Sequence, residues 1–136
     1  MSKVFDSFSP GFPVTLQLSK ANPAADGDSV LSLPQGNGFV VPAGYTFRPL
    51  YLVVKSNADL SAGTATFKLA VDGTAVIGYH TCILSHGVQS QQTAFYRKQT
   101  QIAAGGEITV IMTADAAYLP VTADIDAVLF GVLEHA

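Results

Sequence analysis

The segment Thr64–Val71 restricts the possible fold more than any other part of the chain. Ala65, Phe67, Leu69 and Val71 alternate with Thr64, Thr66 and Lys68, and the run stops on Asp72-Gly73. A period of two puts the four apolar residues on one face of a strand. Asp-Gly after such a run is a strong hairpin signal, because both central positions of a type I′ turn take positive φ. Thr74–Leu84 returns from that turn, with a break expected at Gly78. The chain therefore contains an antiparallel pair with one apolar face, and that face needs a second layer.

The same grammar extends through the sequence. No stretch of ten or more residues carries a helical period. Short runs are cut by Gly, Pro, Asn and Asp instead. Val14–Leu18, Ser29–Leu33, Phe39–Val41, Thr46–Lys55, Gln92–Thr100, Glu107–Thr113 and Asp124–Leu133 complete nine runs, of which eight are main strands. Pro49 inside Thr46–Lys55 predicts an edge position or a bulge. In Glu107–Thr113, Ile108, Val110 and Met112 point inward. The intervening segments are rich in turn-forming residues and too short to be linkers between domains. The expected fold is all-β, a jelly-roll-like antiparallel two-sheet sandwich. Residues 14–136 form one domain, and residues 1–13 form an extended N-terminal arm.

Composition limits the surface. Of 136 residues, 49% are hydrophobic and 12% are charged, about half the charged share usual for a soluble domain. Seven Lys+Arg and ten Asp+Glu cannot give a lone domain a mixed charged coat. Much of the surface is expected to lie against other chains. A formal net charge of −3 gives no electrostatic reason to expect nucleic acid or an anionic membrane as partner. No apolar run approaches the roughly 20 residues of a membrane-spanning helix. The first residues lack an apolar segment of signal-peptide length, and a single cysteine excludes an internal disulfide. Both point to a cytoplasmic site of synthesis and assembly.

Three features point outward. The arm carries Val4, Phe5, Phe8 and Phe12, while Pro10, Gly11 and Pro13 deny it a helix or a central strand. Burying one Phe is worth about 1.5–3 kcal/mol, so the arm is expected to dock, on its own sandwich or on a neighbour. The last strand becomes apolar on both faces from Val128: Val128, Phe130 and Val132 oppose Leu129 and Leu133. Leu50–Val54 does the same, with Tyr51 and Val53 opposing Leu50, Leu52 and Val54. A strand with one solvated face keeps alternating. Tyr51, Val53, Val128, Phe130 and Val132 are therefore the expected subunit-interface residues. The third feature is the polar run Gln89–Gln101, either an ordinary solvated strand or a hydrogen-bonding ligand face.

Catalytic signatures are missing. The sequence has no Gly-rich phosphate loop, no Gly-x-Ser-x-Gly elbow and no CxxC pair. His80, Cys82 and His86 form the one metal-like grouping, which reads better as ordinary strand. The pairs Asp26/Asp28 and Asp124/Asp126 lack the oxygens of a calcium loop, and Asp28 and Asp124 sit at strand starts, where Asp commonly closes a turn. The expectation is a non-enzymatic protein without metal or cofactor. A cupin-like metalloenzyme would need more histidines on strands than this chain has.

The runs Val41-Pro42-Ala43-Gly44-Tyr45-Thr46-Phe47-Arg48-Pro49-Leu50, Asn57–Phe67 with Asp72-Gly73-Thr74, and Thr113–Pro120 with Thr122–Ile125 resemble small jelly-roll structural proteins of tailed bacteriophages. Head decoration (cement) proteins and β-rich fibre or spike domains share this turn and strand grammar. The resemblance implies a homotrimer on the exterior of a phage head. There it would bridge units of the major capsid protein, using terminal arms, and stiffen the shell. The alternative is a tail fibre or spike module that recognises a host glycan through Tyr45, Tyr96 and nearby amides.

Overall fold

The computed structural model describes residues 11–76, 82–85, 87, 90–94 and 101–136. Ten strands are present: β1 Phe12–Lys20, β2 Gly27–Leu31, β3 Phe39–Val40, β4 Tyr45–Ser56, β5 Ala65–Val71, β6 Thr74–Ala75, β7 Cys82–Leu84, β8 Ser90–Ala94, β9 Glu107–Ala114 and β10 Ile125–His135. All pairings are antiparallel. One sheet, here sheet A, runs β1-β10-β4-β8. The other, sheet B, centres on β9 and β5. β2 and β3 lie in line along β9, and β6 and β7 lie in line along β5. Merging the in-line segments leaves eight strands in orders 1-8-3-6 and 2-7-4-5, the double Greek key of a jelly roll.

The two sheets meet over Leu16, Leu18, Leu52, Val54, Ile125, Ala127 and Leu129 from sheet A and Leu31, Phe67, Leu69, Ile108, Val110 and Met112 from sheet B, all buried. The alternation that defined Thr64–Val71 is visible in this core: Ala65, Phe67 and Leu69 are buried while Lys68 is exposed. Asp72 and Gly73 take φ of 52° and 82°, as the hairpin requires. The aspartate does further work at the turn, since its carboxylate accepts a hydrogen bond from Glu107 N at 3.0 Å.

Pro49 sits beside a bulge. Gly131 pairs with Pro49 and Phe130 pairs with Tyr51, which leaves Leu50 as the extra residue of β4. β4 is nonetheless an interior strand, between β10 and β8. The proline is tolerated at the bulge, where the β4–β10 ladder is interrupted. β1 also starts earlier than the arm boundary allowed. Phe12 pairs with Leu133 and Pro13 with Val132, so both belong to the sandwich. Val4, Phe5 and Phe8 lie outside the described residues, as do Gly78 and most of the predicted strand beyond Ala94.

The connections β1–β2, β4–β5 and β9–β10 lie at one end of the sandwich, as do the end of β7 and the start of β8. Its loops tie to each other: Asp115 accepts from Thr64 N at 3.0 Å, Thr64 Oγ1 at 3.1 Å and Ala117 N at 3.1 Å. Asp26 N donates to Asp115 O at 3.0 Å, and Asp124 N donates to Asn57 Oδ1 at 2.9 Å. The start of β1 and the end of β10 lie at the other end.

Candidate interaction face

The five residues singled out as an interface come from two strands that share eleven paired positions. In β10, Ile125, Ala127, Leu129 and Gly131 are buried, so Val128, Phe130 and Val132 occupy the opposite, outer face of sheet A. In β4, Leu52 and Val54 are buried, so Tyr51 and Val53 face outward with them. The register then brings them side by side: Val128 opposite Val53, Phe130 opposite Tyr51. The Tyr51 and Phe130 rings stack, with centroids 4.4 Å apart and planes 20° from parallel. All five are half-buried by one another and by their strand neighbours. Gln17 and Thr15 flank the apolar band on β1, and Gln92 and Ala94 flank it on β8.

Charged rows close the band at both ends. At one end Lys55 of β4 lies directly opposite Asp126 of β10, both exposed. At the other end Arg48 of β4 holds Glu134 of β10 through Nε–Oε1 at 2.9 Å and Nη2–Oε2 at 3.3 Å. Gln101 Nε2 also donates to Glu134 Oε1, and Thr46 Oγ1 donates to Gln101 Oε1 at 3.2 Å. This is the one salt bridge among the described residues. Its charged groups are partly open to solvent, so its net worth is roughly 0–1 kcal/mol and its effect is mainly to fix geometry.

Sequence reasoning missed this ion pair. Arg48 and Glu134 are 86 positions apart, and only the β4–β10 register brings them together. Phe12, read as an arm anchor, instead packs its ring 6.1 Å from Tyr45, which lies 5.0 Å from the His135 ring. Phe12 remains 54% exposed, so this aromatic group is open to contact.

The other candidate chemistry does not assemble among the described residues. Cys82 is fully buried, and its thiol donates to Gln91 O at 3.8 Å. Burial pushes the thiol pKa up, outweighing a hydrogen bond with Thr93 that lowers it. Such a thiol is a poor nucleophile and a poor metal ligand. His80 and His86 lie outside the described residues. Among the described residues no three His, Cys, Asp or Glu side chains gather closely enough to hold a metal ion. Asp28 accepts from Thr113 Oγ1 at 2.6 Å, Asp26 takes a turn conformation with φ of 55°, and Asp124 accepts from Asn22 N at 3.3 Å. Of the polar run, Ser90–Ala94 forms the edge strand β8, with Gln91 and Gln92 exposed.

No protein-family model and no curated protein matches the sequence. Among solved structures, the fold is similar to a chain in the structure of Nora virus, at 12% identity and a TM-score of 0.47 over 92% of this chain. A chain from black queen cell virus is similar at 8% identity and a TM-score of 0.45 over 91% of this chain. This chain spans 57% of the first and 68% of the second. Likeness at this level adds no argument about function to the double Greek key that the strand pairing itself defines.

Proposed function

We propose that this protein is a non-enzymatic structural piece of a virus particle, located in the virion and acting by contact rather than chemistry. The observation that carries the proposal is the outer face of sheet A, where Tyr51, Val53, Val128, Phe130 and Val132 form one continuous apolar band on a chain with few charges. A solvated sheet face does not need such a band, whereas a contact face does. The finer reading follows the phage resemblance: a decoration (cement) protein that binds the major capsid protein on the head exterior, is assembled in the host cytoplasm, and stabilises the shell mechanically. The homotrimer is the form that resemblance implies. No cofactor, nucleic acid or membrane enters this role.

Co-sedimentation with capsids that lack this protein tests the reading. The full chain should co-sediment and raise the temperature at which the shells rupture. A chain lacking residues 1–10 should keep its fold and lose shell binding. The truncation stops there because Phe12 already pairs in β1. Failure of the full chain to bind shells from any host in which it is made would remove the decoration role.

The aromatic group Phe12–Tyr45–His135 favours a second reading as a glycan-contacting fibre or spike module, since clustered and partly open rings suit a sugar face. Specific hits on a glycan array that disappear on Tyr45→Ala would select it over the first.

A further inference from the structure

The charges framing the apolar band are sorted by strand. Among the described residues, both outward cations lie on β4, Lys55 at one end and Arg48 at the other. The outward anions described lie on β10, Asp126 opposite Lys55 and Glu134 bound to Arg48. The face thus has a positive column beside a negative column, with Tyr51, Val53, Val128 and Phe130 between the charged ends.

Such a pattern matches its own image in one orientation. A two-fold axis parallel to the strands, lying over the β4–β10 seam, places β4 of one copy on β10 of the next. Lys55 then faces Asp126 of the second copy, Arg48 faces Glu134, and Tyr51 and Val53 cover Phe130 and Val128. A two-fold axis perpendicular to the strands instead stacks β4 on β4 with the ends reversed. Lys55 would then face Arg48, and Asp126 would face Glu134, so every charged contact would repel. Packed sheets cross at about 30°, and the long Lys and Arg side chains can absorb the offset at the ends.

We propose that the outer face of sheet A binds a second copy of this chain, face to face, through a two-fold axis parallel to β4 and β10. Charge complementarity selects both the occupant and the axis. The face measures about 19 Å across four strands and about 27 Å from Asp126 to Glu134, from strand spacing and rise per residue. That footprint is near the lower limit of specific interfaces, so the dimer is reversible and concentration-dependent. The homotrimer implied by the phage resemblance would need this face to meet a different surface on the next copy. The proposal does not rest on the virion reading, and its test contains no capsids, so either can fail alone.

Sedimentation equilibrium of the full chain across a hundredfold range of concentration is the test. Wild type should move from monomer to dimer, and Lys55→Glu should raise the dissociation constant at least tenfold. Asp126→Lys should do the same. The double variant Lys55→Glu with Asp126→Lys should recover wild-type association, because exchanging the columns preserves the match. Val53→Asp should leave a folded monomer by circular dichroism; the charge variants, on exposed positions, keep the test valid if it does not fold. A trimer, or a monomer throughout, would overturn the proposal. A monomer is also the result if the chain's own residues 1–10 or an unrelated protein takes the face. Tighter association of Lys55→Glu would overturn the axis, since only the perpendicular arrangement sets Lys55 against Arg48.

Discussion

Tyr118 is fully buried, and its hydroxyl has no hydrogen-bond partner among the described residues. A buried polar group left unpaired costs about 1–3 kcal/mol relative to water. Tyr118→Phe removes that group and keeps the ring. It should stabilise the protein by about 1 kcal/mol, a rise in Tm of roughly 4 °C for a domain of this size, measurable by calorimetry. A fall in Tm would mean that the hydroxyl is satisfied in solution. The same residue contributes to the pH response. Burial raises the pKa of Tyr118, and burial also raises that of Cys82 against the lowering hydrogen bond from Thr93. A group whose pKa is raised by folding stays protonated in the folded state at pH values where the unfolded chain has lost the proton. Its stabilising effect is complete below the unfolded pKa, about 8.5 for Cys and about 10 for Tyr, and is lost as pH rises through the folded value. Tm should therefore hold between pH 6 and 8 and fall progressively above about pH 8.5. Tyr118→Phe should lessen the part of the fall above about pH 10. A Tm that climbs with pH in this range would contradict the account.

The bulge between β4 and β10 depends on the absence of a side chain. A Cβ on Gly131 would lie 2.2 Å from Phe47 Cζ and 2.7 Å from Arg48 O. Phe47 is itself fully buried, so neither atom can move away cheaply. Gly131→Ala should cost about 1–3 kcal/mol by urea denaturation, the usual penalty of overpacking a core. An unchanged midpoint would show that the bulge relaxes. At this scale the sequence was informative wherever the signal was local. The alternation of Thr64–Val71, the Asp72-Gly73 turn and the irregularity near Pro49 all appear in the structure. The two-sided apolar character of Leu50–Val54 and Val128–Leu133 identified the residues of one shared face before their pairing was known. What the sequence did not reveal was non-local. Phe12 looked like part of an arm because Pro10, Gly11 and Pro13 surround it, and only its partner Leu133 places it in β1. The charge columns were equally hidden, because the β4–β10 register alone aligns Lys55 with Asp126 and Arg48 with Glu134.

The whole molecule is built almost entirely from pairings between distant parts of the chain. β1 pairs with β10, β2 with β9 and β4 with β10, and among the described pairings only the β5–β6 hairpin is local. Loop closure on that scale must precede the contacts that reward it, so refolding should take milliseconds to seconds. Stopped-flow dilution from urea checks this, and complete recovery within microseconds would contradict the topology's dominance. The same strand order governs how the domain bears load. β1 and β10 are antiparallel neighbours, and Phe12 pairs with Leu133, so tension applied at Gly11 and Ala136 enters at one end of one ladder. The hydrogen bonds there lie across the strands and along the pull, so they open one after another, as a zipper does. Tension applied along the strands, between the loop end and the opposite end of the sandwich, would load those bonds together in shear. The domain would therefore resist strain carried along its strands far better than strain that pulls Gly11 and Ala136 apart.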